Sequence, residues 1–281
     1  MKCLLGSVLL IASVASCLAS DGAVGTIAAS ASSLAPKVAP PVTDSLIFTG
    51  EWNRTSNLNG EMASVDWLHI FTNRPTIFTA GVALHSVDGS RWTFAKIGGS
   101  FRPRPRLTLD GSANLGGGTT NGPAFAYTVV GGHATYQILP YLFLNAGSQY
   151  FHVATEHGNL PHFGGIVLIR RRVSIEGGYS FSAGGNMDTR FWLTRVALEG
   201  KHARVFSVVT LGHSAPQVFD VGVGQAGPAA ALRDFCLGTS IPVSRFEVTT
   251  AWELTRTGTV NRQNLTLSIK LPLRTGGQSQ P

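Results

Sequence analysis

Residues 172–182 read RVSIEGGYSFS, and apolar and polar side chains alternate along this stretch. Val173 and Ile175 fall on one face of an extended chain, whereas Ser174 and Glu176 fall on the other. A period of two is typical of a β-strand with one apolar and one polar face. The stretch therefore predicts a strand.

The same alternation recurs along most of the chain, most regularly at residues 107–115, 244–256 and 264–271. Together with less regular segments it gives about 14 strands, with 12 and 16 as alternatives. Several segments reach the length of about 9–11 residues with which a tilted strand crosses a bilayer. Because backbone groups in lipid must all be paired, such a sheet has to close. The sequence predicts an all-β fold, a single antiparallel transmembrane β-barrel of about 12–14 strands.

Aromatic residues near the segment ends suggest interfacial girdles of the kind found on membrane proteins. These residues are Trp52, Trp67, Trp92, Tyr141, Phe151 and Trp252. A soluble periplasmic β-sandwich or barrel is the alternative, since it would alternate in the same way with its apolar face turned inward. The polar faces lack the dense Lys/Glu surface of a soluble protein, which favours the membrane barrel.

The ends of the chain differ in character from the region of strands. Residues 1–20 resemble an export signal, with Lys2 at the start, a short apolar run and small residues after it. The apolar run is shorter than the roughly 20 residues of a spanning helix. Residues 21–44 are rich in Ala, Ser and Pro and predict a flexible tether. The barrel is predicted over residues 45–273, followed by a polar tail at 274–281.

Cysteine usage agrees with export. Residues 14–17, Val-Ala-Ser-Cys, resemble the lipobox of bacterial lipoproteins, in which the cysteine is lipidated, so Cys17 is a candidate lipidation site. Ordinary cleavage, for instance after Ala19, is the alternative. Of the three cysteines, Cys3 lies inside the signal, which leaves Cys236 as the remaining thiol. An intramolecular disulfide is therefore not expected, and no CxxC pair suggests a zinc site.

The chain is basic, with 22 Lys and Arg against 15 Asp and Glu and a net charge of +7. Basic proteins often bind nucleic acid, but export argues against that partner. Outer-membrane lipid and the phosphates of lipopolysaccharide fit the charge better, and so do anionic solutes or acidic glycans. The sequence predicts these partners and no nucleic acid.

Two groups of residues could suggest catalysis or metal binding. His213 and Ser214 are adjacent but do not match the His-x-Ser-Asn type motif of outer-membrane phospholipases and lipid A deacylases, and neighbours on a strand face opposite sides. A possible metal-binding group lies around a predicted loop and consists of His152, Glu156, His157 and His162. Such residues in a loop are more often solvated than metal-bound. We therefore predict no catalytic residue, no metal and no cofactor.

A set of charged residues is predicted to face the lumen, because its members lie two or four positions apart within their strands. The set is Arg106, Asp110, Arg172, Glu176, Arg245, Glu247 and Glu253. Opposite charges on neighbouring strands could brace the barrel wall. With an excess of arginine, the same residues could line a pore that prefers anions.

The whole pattern of signal, tether and paired strands resembles bacterial outer-membrane β-barrel proteins, and in size and layout it is similar to the YaiO-type barrel family. This similarity covers residues 51–273 and implies a place in the bacterial outer membrane and a link to envelope polysaccharide. Barrel proteins usually end on an aromatic residue that the barrel assembly machinery reads. Here the last segment, residues 264–273, contains none.

Three functions follow from the sequence. The first is a porin-like channel or conduit for anionic or polysaccharide material. The second is a closed structural or surface-binding barrel without transport. The third is an outer-membrane lipid-modifying enzyme, although no group of catalytic residues supports it. A lumen that is open to water would distinguish the first function from the second.

Overall fold

The structure is a computed structural model that describes residues 42–55, 58–71, 76–87, 90–119, 124–153, 156–170, 172–185, 188–214, 230–258 and 260–275. The predicted signal, Cys17, and most of the predicted tether and tail lie outside these residues. The strands begin at Val42 and end at Thr275, close to the predicted limits of the barrel.

The described chain consists of β-strands joined by short turns, with no helix long and apolar enough to cross a bilayer. The strands are β1 (Val42–Thr55), β2 (Leu58–Phe71), β3 (Thr76–Val87), β4 (Ser90–Arg104), β5 (Leu107–Thr119), β6 (Ala124–Leu139), β7 (Leu142–Val153), β8 (Glu156–Ile169), β9 (Val173–Phe181), β10 (Ala183–Gly185), β11 (Thr189–Glu199), β12 (Arg204–Ser214), β13 (Ala230–Val243), β14 (Phe246–Thr257) and β15 (Val260–Thr275).

The strands form one closed antiparallel sheet. Each long strand pairs with its neighbours along the chain, and β1 closes the barrel by pairing with β15. The three-residue strand β10 pairs with the beginning of β8. In the ring of long strands β9 is followed directly by β11, with which it pairs. Fourteen long strands therefore surround the lumen, which confirms the predicted all-β barrel.

The barrel has two ends, which we call the terminal rim and the loop rim. The terminal rim carries the first residue of β1, the last residue of β15 and turns such as 104–107, 139–142 and 243–246. The loop rim carries the opposite strand ends, among them Ser214 at the end of β12 and Ala230 at the start of β13. An even number of long strands places both ends of the sheet at the terminal rim, as in bacterial outer-membrane barrels.

The apolar face of the sheet points outward. Register partners on neighbouring strands point to the same side, so the pairing fixes which residues face the lumen. Large apolar side chains on the body of the strands are exposed on the outer face, and examples are Trp52, Leu84, Leu144, Phe163 and Trp192. A soluble barrel would turn these side chains inward. The observed orientation is therefore opposite to the one that the soluble alternative requires.

The predicted aromatic girdles are correct only in part. Trp52, Trp67 and Trp252 are exposed on the outer face. Trp92 and Phe151, by contrast, point into the barrel and are buried. Trp92 is the register partner of His85, and Phe151 is the register partner of Val129. Because His85 and Val129 point inward, their partners point inward as well. Proximity to a strand end does not reveal this, since it says nothing about the face.

Candidate functional site: the lumen of the barrel

The inner face of the barrel is largely polar. On β1, for example, Ser45, Thr49, Glu51 and Asn53 alternate inward and are buried, whereas Trp52 between them is exposed outside. The inward positions of β14 and β15 continue this face with hydroxyl, amide and charged side chains. A polar interior beneath an apolar exterior is the arrangement found in transmembrane barrels.

The structure separates the predicted lumen charges into two groups. Asp110, Glu176, Glu247 and Glu253 lie on the inner face of β5, β9 and β14. The three predicted arginines do not lie on that face; each is exposed in a turn at the terminal rim. They are Arg106, Arg172 and Arg245.

The physical reason is that each strand starts after its arginine. β5 begins at Leu107, β9 at Val173 and β14 at Phe246. The turn before β14 also contains Ser244 with a positive φ of 57°, which reverses the chain there. The alternation continued formally through these arginines, but the turns carry them out of the sheet.

Other cations, which the sequence did not single out, line the inner face. Lys96 on β4 contacts Asp66 on β2 with Nζ and Oδ2 2.6 Å apart, and it also donates to Ser64. Arg195 on β11 is the register partner of Glu176, and its guanidinium lies over the Phe206 ring. Lys96 shares its parity with Trp92, which the sequence placed in an outward girdle, so the pattern of β4 alone did not reveal its inward direction. Its cross-strand partner could be known only from the register.

A buried polar cluster occupies the inner face of β1, β14 and β15. Glu51 Oε1 lies 3.6 Å from Arg262 Nη2, and both side chains are almost completely buried. Arg262 donates from Nε to Asn264, which in turn donates to Glu253 with an Nδ2–Oε2 distance of 2.9 Å. The buried Arg262 therefore links carboxylates of two strands, Glu51 through an ion pair and Glu253 through hydrogen bonds by way of Asn264.

A second polar group lies on β5, β6, β8 and β9. Asp110 and His133 are register partners on the inner face. The rings of His133 and His162 are 6.1 Å apart, and His162 Nδ1 lies 2.9 Å from Ser180 Oγ. The described residues nevertheless include no group of three or more His, Cys, Asp or Glu that could hold a metal ion.

Aromatic side chains form an apolar part of the inner face near the loop rim. Phe94 on β4 and Tyr127 on β6 stack with ring centroids 5.0 Å apart. Trp92 meets His85 edge to face at 4.0 Å. Trp92, Phe94 and Tyr127 are at most 2% exposed, so neighbouring side chains of the inner face cover them.

The inner face carries more carboxylates than cations, although the whole chain is basic. Among inward side chains that the register places, the carboxylates are Glu51, Asp66, Asp110, Glu176, Glu199, Asp234, Glu247 and Glu253, and the cations are Lys96, Arg195, Arg204, Arg262 and Lys270. The excess of positive charge of the chain therefore lies outside the lumen.

The residues that could suggest catalysis or metal binding do not converge on one site, as far as the structure describes their side chains. His152 and His157 are register partners on the outer face, whereas His162 points inward. Ser214 is buried on the inner face and bonds with Thr189, while His213 is exposed outside. His213 is therefore on the wrong side of the sheet to accept a proton from Ser214.

No protein-family model and no curated protein sequence matches the chain. Solved structures are similar in fold. The toluene transporter TbuX of Ralstonia pickettii has a TM-score of 0.55 at 8% identity, with 83% of this chain and 90% of that chain covered. The CymD monoaromatic hydrocarbon channel has a TM-score of 0.54 at 10% identity, with 81% and 87% covered.

A bacterial polysaccharide outer-membrane secretin also has a TM-score of 0.54, at 6% identity, with 83% of this chain and 99% of that chain covered. The chain has the fold of outer-membrane β-barrels. At these identities the similarity concerns the fold alone. The solved structures do not test the similarity to the YaiO-type family, and the solutes of these proteins do not transfer to this chain.

Proposed function

We propose that this chain is a bacterial outer-membrane β-barrel that acts as a porin-like conduit for oligosaccharide or polysaccharide material. The observation that carries the proposal is the orientation of the sheet: apolar side chains such as Leu84 and Trp192 face outward, and hydrogen-bonding and charged side chains face the lumen. A barrel of this kind separates a hydrophilic interior from the surrounding lipid.

The composition of the lumen supports a carbohydrate over a simple anion. Asp66, Lys96 and Asn145 provide partly exposed hydrogen-bonding groups on the inner face, and these suit the hydroxyl groups of sugars. The rings of Phe94 and Tyr127 are buried and would contact a sugar only after neighbouring side chains move. The excess of carboxylates on the inner face disfavours anionic solutes. The layout shared with the YaiO-type family supports the same choice.

A closed barrel without transport is the second candidate, because one observation favours it. Near the loop rim Trp92, Phe94 and Tyr127 are buried together with Glu51 and Arg262. The burial of these large side chains on the inner face narrows the lumen there, which favours a closed barrel. Insertion by the barrel assembly machinery belongs to both candidates and stays a proposal.

The test begins with the location of the protein and the closure of the barrel. Detergent-extracted membranes are run on SDS gels with and without boiling, and a compact unboiled band in the outer-membrane fraction is expected. Purified protein is then placed in liposomes, and swelling is followed with neutral oligosaccharides of increasing length. Swelling supports the conduit. A compact band without swelling supports the closed barrel, and release by osmotic shock contradicts both.

A further inference from the structure

Five outward-facing arginines of the described strands lie near the loop rim, and a sixth, Arg104 at the end of β4, lies at the terminal rim. The five are Arg54 on β1, Arg91 on β4, Arg190 on β11, Arg233 on β13 and Arg256 on β14. Each is exposed. On the lipid face, lysine and arginine destabilise a barrel at the bilayer midplane but are tolerated near the membrane interfaces. The shared height of these five arginines therefore marks the edge of the membrane band.

Four of these arginines lie on one side of the barrel, and we call Arg54, Arg190, Arg233 and Arg256 the arginine belt. Arg233 and Arg256 are direct register partners, so two like charges stand opposite each other on adjacent strands. Such a pair is destabilising unless an anion lies between the charges. Arg190 has the exposed His213 as its partner, which adds a further hydrogen-bonding group.

The outer face supplies little negative charge to balance the arginine belt. Among the described strands, two carboxylates point outward, Asp44 at the terminal rim and Glu61 on β2, and Asp188 is exposed just before β11, two residues from Arg190. Asp44 contacts His69 and Trp67 at the other end of the barrel. Glu61 is the register partner of Trp52 and lies beside Arg54 at the margin of the belt. The central pair, Arg233 and Arg256, has no carboxylate of these strands beside it.

Apolar side chains lie directly below the belt on the same face. Three belt arginines have an exposed aromatic residue two positions closer to the middle of the barrel. These pairs are Arg54 with Trp52, Arg190 with Trp192 and Arg233 with Phe235. Aromatic residues at this position mark the membrane interface. The guanidinium groups therefore lie at the height of lipid head groups, where phosphates are found.

We propose that the arginine belt binds the phosphate groups of a phosphorylated glycolipid in the surrounding leaflet. Guanidinium groups bind phosphate oxygens in pairs through two N–H donors. A lipid with two phosphates can bridge Arg233 and Arg256 while its acyl chains contact Phe235 and Trp192 below. A soluble anion would contact the arginines but not the aromatic residues below them. The inference goes beyond the conduit and rests only on its proposed place in the outer membrane.

The experiment uses the full barrel in detergent, with the heat-modifiable band as the control for folding. Bisphosphorylated lipid A, monophosphorylated lipid A and phosphatidylethanolamine are titrated in turn, and bound lipid is counted by native mass spectrometry. The variants are R233Q/R256Q, its charge-conserving form R233K/R256K, and R172Q/R245Q as the matched control. The control removes the same charge from the opposite rim.

We expect wild type and R172Q/R245Q to bind bisphosphorylated lipid A best. R233Q/R256Q should lose at least about tenfold in affinity, because two charge-assisted contacts to phosphate disappear. R233K/R256K should bind with intermediate affinity, since lysine keeps the charge without the paired donors.

Equal lipid A affinity in R233Q/R256Q and wild type would overturn the inference. Complete competition by millimolar inorganic phosphate would also overturn it, because the ligand would then be a soluble anion. Liposome swelling keeps this test separate from the proposed conduit: the belt lies outside the lumen, so R233Q/R256Q should conduct like wild type. A wild type that binds lipid A without swelling would contradict the conduit alone.

Discussion

The ring of Phe206 on β12 lies against Gly238, its register partner on β13, and a Cβ atom at Gly238 would overlap the ring. Phe206 is 1% exposed and packs with Val208 and Cys236 on the inner face. The absence of a side chain at Gly238 therefore creates the space that the largest residue of this cluster fills. Here one pair of residues determines how the wall packs.

We predict that Gly238→Ala lowers the free energy of unfolding by about 1–3 kcal/mol, because the added methyl group forces the buried ring out of its position. Urea unfolding in detergent, followed by the loss of the compact band, measures the change. Gly177→Ala is the matched control, since no atom lies within 4 Å of a Cβ at that position. Equal effects of the two substitutions would contradict this account of the packing.

The buried pair of Glu51 and Arg262 allows a double-mutant cycle. Arg262→Met alone should destabilise the barrel by about 3–5 kcal/mol, because it leaves Glu51 as an uncompensated buried charge. The double variant E51Q/R262M should recover part of this loss. A coupling free energy between the two sites of about 1 kcal/mol or more is expected. Additive effects would show that the two side chains do not interact.

Truncation of the aromatic stack should open the lumen. In F94A/Y127A two rings that face each other at 5.0 Å are removed from the inner face. We expect a higher single-channel conductance and faster swelling with longer oligosaccharides, because two large rings are removed from the wall of the lumen. Phe163→Ala removes an exposed ring from the outer face and should leave conductance unchanged. An unchanged conductance of F94A/Y127A would place the constriction elsewhere.

Charge on the outer face should act according to depth. Leu237 lies near the middle of β13 and is 47% exposed, so Leu237→Arg places a charge in the apolar band. We expect a cost of about 2–4 kcal/mol at the bilayer midplane and a smaller yield of heat-modifiable protein. Asn159→Arg adds the same charge on the outer face near the loop rim, where its register partners are Tyr150 and Ala183, and should insert normally. Equal yields would place Leu237 outside the membrane band.

The type of fold was predictable from local chemistry. The alternation in residues 172–182 and 264–271 needs no tertiary contact to be recognised, because the period of two is a property of the extended backbone. The requirement that a sheet in lipid has no open edge then predicts closure. The pairing of β1 with β15 confirms it. For the same reason the inward direction of Asp110 and Glu176 agrees with the sequence pattern.

The sequence did not determine where the alternation stops. Arg106, Arg172 and Arg245 fit the parity of the strands that follow them, but each lies in a turn. Likewise, Trp92 and Phe151 have the composition of girdle residues, yet their parity turns them inward. A shift of one residue in a strand boundary changes whether a side chain reaches the lumen, and residue type does not report that shift.

By itself, then, the sequence determined the class of fold, the approximate number of strands and the polar nature of one face. Only the tertiary structure decided which strands carry partners for each other: Lys96 with Asp66, Glu51 with Arg262, and Arg233 opposite Arg256. The physical reason is that alternation is set by the backbone of one strand, whereas these contacts depend on the register between strands. Register follows from closing the whole sheet, and a single segment does not contain it.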